Sequence, residues 1–319
     1  MASIDNLKSN VSYSALEEAL KANDIDRAMR TLNIDPAAFR PLEKAYEDTY
    51  EQGAEEAAKA VPKVTANNGP TALFRFDIRH PTAEMDLRQN SSTLITNIVD
   101  DQRNAIRDVL ANGIAAGRAP RRTALDIVGR VNKVTLKREG GIIGLTQPQT
   151  KYVDSMRQRL ASGDPAEMAK VFSMTRRDKR FDATIRNAIK ESRPVTQDMI
   201  DRMTNRYSDG LLLLRGETIA RTETMAAFNK GQMASMQQAI LQGRVSASVV
   251  VKQWHAFIDH RTRYTHKELN NTVVGFHEKF ETARGAFLAY PCDPEGGSDE
   301  VVNCRCWMDT KIDFLADLD

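Results

Sequence analysis

Four of the five histidines and all three cysteines of this 319-residue chain fall between Trp254 and Met308. They are His255, His260, His266 and His277, with Cys292, Cys304 and Cys306, and both tryptophans (Trp254 and Trp307) share the stretch. Imidazole nitrogens and thiolates are the donors that zinc takes, about four of them in a tetrahedron. In an extended segment Cys304 and Cys306 point to the same side, so they could supply two donors to one ion. His266 is the third candidate, and Cys292 or His277 the fourth. The spacing differs from that of a standard finger or ribbon. The same residues also have a plainer account: two small buried thiols and a histidine hydrogen-bonded to Asp259 or to backbone. A second chemistry would be a metal-dependent hydrolase or nuclease built on His255, His260 and His266 with Asp259. Such a centre needs an open coordination position and a general base, and the sequence marks neither. No residue is assigned as catalytic.

The elements that must position this module are helical. Ser14 can cap a first helix with Leu16, Ala19 and Leu20 on one face. Asp35-Pro36 starts another, with Pro36 at the first position, where its missing N–H costs nothing. Its inner face carries Phe39, Leu42, Ala45, Tyr46 and Thr49. Val61-Pro62 ends it, and Asn67-Asn68-Gly69-Pro70 is a turn that marks a boundary. Leu73 to Ile78 is a candidate short extended piece. Ser91 or Ser92 can cap a helix whose stripe is Leu94, Ile95, Ile98, Val99, Ile106, Val109 and Leu110. Thr146-Gln147-Pro148-Gln149 has the pattern of a capping box. Residues 166–193 are expected to be helical, Pro194 breaks them, and Thr196 caps the next helix. A long helix over Leu211–Gly243 carries a stripe of small residues, Ala220, Thr224, Ala227, Gly231 and Ala234, that lets another helix approach closely. Charged positions on it, Glu217, Arg221 and Glu223, have a structural explanation, and no partner base accompanies them. Val245–Trp254, Val273-Val274 and Val301–Met308 are expected as extended segments.

The fold class is therefore mostly α, with long helices in the N-terminal two-thirds followed by a small α+β C-terminal module. Three segments are expected: 1–65, 66–208 and 209–319. A net charge of +2 does not mark the whole chain as a nucleic-acid binder. Locally, Arg118, Arg121, Arg122, Arg130, Lys133, Lys137 and Arg138 stand against one acid, Asp126. They are candidates for contact with DNA phosphates, or else form a solvated surface near acidic helices. No apolar run approaches the ~20 residues that cross a bilayer. The N-terminus lacks the pattern of a signal peptide, and the cysteine spacing suits thiols in a reducing compartment rather than a disulfide framework.

Several motifs then fall in one order: Ile219-Ala220-Arg221-Thr222-Glu223-Thr224 with Ala227, Asn229 and Gly231; Lys252-Gln253-Trp254; Asp259-His260-Arg261-Thr262-Arg263; His266; Tyr290-Pro291; and Asn303-Cys304-Arg305-Cys306. Across roughly 209–310 they resemble the phage head morphogenesis domain, the Mu F-like family of minor head proteins. Cys292 stands where that family's Tyr-Pro-Gly-Asp pattern has glycine, so His266, Cys304 and Cys306 are the better candidates for shared ligands. The resemblance implies a structural role: a low-copy component of a tailed-phage head, located in the virion. Its implied partners are the portal protein, the major capsid or other head proteins, and packaged double-stranded DNA. The alternative is a metal-dependent hydrolase or nuclease, or a DNA-binding accessory protein delivered with the genome.

Overall fold

Several helices of this chain begin where a side chain accepts from a backbone N–H that a helix leaves unpaired. The computed structural model describes residues 2–65 and 71–313; the Asn67–Pro70 turn and its boundary lie outside the described residues. Helices α1 (Ala2–Asn10), α2 (Tyr13–Lys21) and α3 (Ile25–Leu32) come first. Ser12, not Ser14, caps α2 by accepting from the Ala15 N–H. Asp35 accepts from the Ala37 N–H and opens a 3-10 turn at Pro36–Phe39, which runs into α4 (Arg40–Ala58). A short antiparallel pair, β1 (Val64–Thr65) and β2 (Thr71–Ala72), follows, while Leu73–Ile78 forms no strand.

Helix α5 (Pro81–Ala115) runs unbroken through the serines expected to cap it. Ser91 instead donates its hydroxyl to the Leu87 carbonyl at 2.8 Å, a bond to the preceding turn that keeps serine inside a helix. Next come α6 (Pro120–Val128), the hairpin of β3 (Arg130–Val131) and β4 (Arg138–Glu139), and α7 (Gln147–Ala161). Helix α7 opens with a complete capping box between Thr146 and Gln149. The expected helix over 166–193 is divided into α8 (Pro165–Ala169), 3-10 turns at Lys170–Ser173 and Lys179–Phe181, and α9 (Asp182–Lys190). Asp164 caps the start of α8, and Asp178 opens the second 3-10 turn inside the stretch. Helix α10 (Gln197–Leu241) joins two expected helices into one of 45 residues. Gly243 stops it at φ +66, with the Arg244 N–H bonded back to the Ala239 carbonyl.

The rest is the small α+β module: β5 (Val250–His255), α11 (Tyr264–Glu268), β6 (Val273–Gly275), the hairpin of β7 (Phe280–Glu281) and β8 (Phe287–Leu288), α12 (Ser298–Val301) and β9 (Trp307–Ile312). Strand β5 is central in an antiparallel sheet of order β6-β5-β9. The architecture is thus predominantly helical with a small β-containing end.

The chain forms two compact units, each made from two separated stretches: Met1–Arg40 with Thr93–Gly216, and Pro41–Ser92 with Glu217–Asp319. This differs from a division into three consecutive segments. The physical reason is that α5 and α10 are long enough to contribute one part to each unit. In the first unit Leu16, Ile106, Leu110, Ile127, Ile143 and Leu145 are fully buried. In the second, α4 and the later part of α10 touch backbone to backbone. A Cβ on Gly231 would lie 2.0 Å from the Tyr50 carbonyl oxygen, and one on Gly53 would lie 2.0 Å from that of Phe228. The small-residue stripe on α10 does what its composition suggests at Gly231. Gly231→Ala should therefore force the helices apart and cost about 1–3 kcal/mol. Gly216→Ala, where an added methyl meets nothing within 4 Å, should instead gain up to about 1 kcal/mol of helix propensity. Denaturant midpoints of the two variants moving in the same direction would refute this reading.

Candidate metal centre

Strand β5 ends beside the centre. Trp254, fully buried, lies edge-on to His266 with centroids 5.3 Å apart and edge-on to Phe280 at 5.1 Å. The loop after β5 is fastened by Asp259, which accepts from the Arg261 N–H at 2.8 Å and from Arg305 in a two-pronged ion pair at 2.6 and 2.8 Å. Hydrogen bonding to Arg305 holds the Asp259 carboxyl far below the ordinary carboxylate range. The loop then delivers His266 on α11. The opposing segment is not a strand at the cysteines: α12 ends at Val301, Asn303 takes φ +59, and β9 begins only at Trp307. Even so, side chains alternate across this turn. Arg305 reaches out to Asp259, while Cys304 and Cys306 turn inward.

His266, Cys304 and Cys306 are 1, 2 and 2% exposed, and their ligand atoms lie within 4.8 Å of one another. His266 Nδ1 is 3.4 Å from the sulfur of Cys304 and 3.4 Å from that of Cys306. One ring nitrogen has one proton or one lone pair, so it cannot make good hydrogen bonds to both thiols. Three donors around one point is the arrangement a cation requires. An ion with ordinary Zn–S and Zn–N bonds at a tetrahedral angle would hold nitrogen and sulfur about 3.6 Å apart, close to the observed separation. On the other side of the ring, Nε2 lies 3.0 Å from a carboxylate oxygen of Glu300, at ion-pair distance though off the best N–H direction. The residues present therefore fit a bound metal ion.

Cys292 is fully buried at φ +67, beside Cys304 but outside the trio whose ligand atoms all meet. Its thiol approaches the Cys304 carbonyl at 3.9 Å. Hydrogen bonds from Cys292 and then Cys306, with His266 adding to them, push the Cys304 thiol far below its ordinary range against the opposing effect of burial. The same contacts, followed by burial, drive Cys292 and Cys306 upward. His277 is exposed and lies edge-on to Phe276, away from the cluster. The histidines of the hydrolase alternative are dispersed: His255 stacks on Trp307 and pairs with Asp309 at 2.9 Å, and His260 is exposed. His266 meets Glu300 rather than Asp259.

The basic run of the first unit is largely compensated. Arg118 pairs with Asp154 at 2.9 Å, Arg130 with Asp201 at 2.8 Å, and Arg122 approaches Asp201 at 3.8 Å. Arg138 donates to the Gly129 carbonyl and lies over the Tyr13 ring. Arg121 and Lys133 are exposed, and Lys137 is exposed 3.7 Å from Asp5. Lys133 and Lys137 flank the turn of the β3–β4 hairpin, where Val134 and Leu136 are 90 and 78% exposed.

Helix α10 holds the cysteine segment in place through three polar side chains. The Asn303 N–H donates to Thr222 at 2.9 Å, and Gln232 donates to the Met308 carbonyl at 2.8 Å. Between them Asn229, fully buried, accepts from the Met308 N–H at 3.0 Å and donates to the carbonyls of Pro291 at 3.0 Å and Cys306 at 3.4 Å. Sequence reasoning missed Glu300. An acid in a turn-rich stretch has no periodicity to set it apart, and its place four residues before Cys304 is the one cue available.

Residues 104–308 match the family described as Phage Mu protein F like protein. The chain belongs to that family. The match takes in α10 and all three converging ligands. Among curated proteins, 103 residues are 31% identical to the Minor head protein GP7 of Bacillus phage SPP1, covering 32% of this chain and 32% of that protein. Another 98-residue alignment is 34% identical to the NAD(+)--arginine ADP-ribosyltransferase EFV of Enterococcus faecalis (strain ATCC 700802 / V583), covering 31% of this chain and 19% of that enzyme. The chain thus spans a third or less of the length of these relatives. No solved structure matches it.

In this Mu F-like chain the Asn229 amide leads to a direct test. Asn229→Ala strands a buried N–H and two carbonyls, so it should lower unfolding free energy by about 2–3 kcal/mol. Asn229→Asp should do no better, because a carboxylate cannot donate to Pro291 or Cys306. Equal denaturant midpoints for Asn229→Asp and wild type would contradict this assignment.

Proposed function

We propose that this protein is a minor head protein of a tailed phage, associated with the portal vertex and acting in head morphogenesis, with DNA packaging or delivery as its setting. What carries the reading is the family match over 104–308. The partial relationship to a protein named as a minor head protein supports it. The role is structural rather than enzymatic. The alignment with the ADP-ribosyltransferase reaches 19% of that enzyme, too little to transfer its chemistry. The protein's place is the virion, in the head interior or at the portal vertex, after assembly in the host cytoplasm. No helix among the described residues is long and apolar enough to cross a membrane. Its partners are the portal protein and the major capsid or other head proteins. Any contact with packaged double-stranded DNA falls mainly to the exposed Arg121, Lys133 and Lys137.

Within that role, zinc is the ion of the centre, held by His266, Cys304 and Cys306, with Cys292, buried beside Cys304, the candidate for a fourth position. Support comes from the donor set and the 3.4 Å separations. When bound, the ion would cross-link the segments without doing chemistry on a substrate.

Two measurements test these proposals separately. Co-expressed with the portal and capsid proteins, the chain should copurify with the portal and enter heads. Portal complexes and heads that lack it would end the portal-vertex reading. Elemental analysis of the purified full chain should find close to one zinc per molecule, with chelator lowering the melting temperature. Metal-free protein whose melting chelator leaves unchanged would remove the zinc proposal and leave the family role standing.

A further inference from the structure

We propose that Glu300 is the positioning residue of this metal site: it holds the far nitrogen of His266 so that Nδ1 faces the two thiolates. This rests on the zinc reading. An imidazole has two nitrogens, and the one that ligates is set by what anchors the other. Here Nε2 sits 3.0 Å from Glu300, and Nδ1 sits 3.4 Å from both sulfurs. The Thr265 hydroxyl donates to the same Glu300 oxygen at 2.9 Å. Two adjacent residues of α11 thus face one carboxylate oxygen, Thr265 through a hydrogen bond and His266 at ion-pair distance off the best N–H direction; a small turn of the ring would complete the second bond and set its tautomer.

Glu300 also belongs to the cysteine segment. It lies on α12, and the Cys304 N–H donates to the carbonyl of the next residue, Val301, at 3.1 Å. The carboxylate and the first thiol ligand are therefore set in one short turn. The charge pattern is the second observation. Glu300 is 2% exposed, its Oε1 is buried without a partner, and among the described residues its one ion-pair contact is His266. Among the described residues no lysine or arginine stands at ion-pair distance from this carboxylate, Arg284 acting on it only from farther off, and a buried carboxylate is costly unless positive charge is near. A divalent ion one imidazole away supplies that charge. A carboxylate, an imidazole and a metal in series is a recurrent way to orient a ligand, and loss of such an outer partner typically weakens metal binding 10–100-fold.

The experiment compares full-length wild type with Glu300→Gln, which keeps the shape and an acceptor for Thr265. Zinc affinity is read by competition with a chelating dye, and the ligating nitrogen of His266 by 15N NMR of the zinc-loaded wild type. The expected result is a 10–100-fold weaker affinity in Glu300→Gln, with unchanged circular dichroism at saturating zinc, and ligation through Nδ1 with the proton on Nε2. Equal affinity in the two proteins would overturn the role of Glu300 while leaving the zinc site intact. Ligation through Nε2 would overturn it even if the variant failed to fold. Wild-type protein that binds no zinc would overturn both proposals.

Discussion

The second unit depends on a buried amide that has no water to turn to. Asn229 must find every partner inside the protein, and it finds them on two separate pieces of backbone, at Pro291 and at Cys306 and Met308. One is the carbonyl of Cys306, so the helix that carries Asn229 also fixes the backbone on which a candidate ligand stands. Thr222 and Gln232 extend the attachment seven residues before and three residues after it along α10, at spacings that bring them to one face. The sulfurs converge on His266 because the segment bearing them is held from behind along this helix. Trp254 then closes the centre from the side of β5.

Much of the frame was legible because its causes are local. A threonine three residues before a glutamine gives the start of α7, a glycine stops α10, and a stripe of small residues foretells a close crossing. What failed was continuity. Serine in the middle of α5 bonds to the turn before it instead of capping a new helix, and nothing local distinguishes the two outcomes. Over 166–193 the opposite happens, because Asp178 opens a new turn inside a polar, Arg-rich stretch expected to be helical.

The site was legible to a similar depth. Residue type singled out His266, Cys304 and Cys306, and alternation kept the two thiols on one side although the chain there is a turn and not a strand. Glu300 escaped notice because its importance comes from burial, which no short pattern reveals. The pairing within the basic run was hidden for a related reason. Arg118, Arg122 and Arg130 count as positive charge in a window, yet their carboxylate partners Asp154 and Asp201 come 36 to 79 residues later. Arg157 joins the same network, bridging Asp126 and Asp201 at 2.9 and 2.7 Å. A pair this buried is held by geometry, and removing one member leaves the other charge uncompensated.

The discontinuous make-up of the units has a consequence for biosynthesis. As the chain leaves the ribosome, Gly53 waits for Phe228 and Tyr50 for Gly231, and the unit to which Pro41–Ser92 belongs is incomplete until the last hundred residues have emerged. The other unit has all its parts once Gly216 is made. Contacts so remote in sequence form slowly, since a long loop must close before any of them is gained. Until then the face of α4 that Gly231 covers in the folded protein has no partner helix.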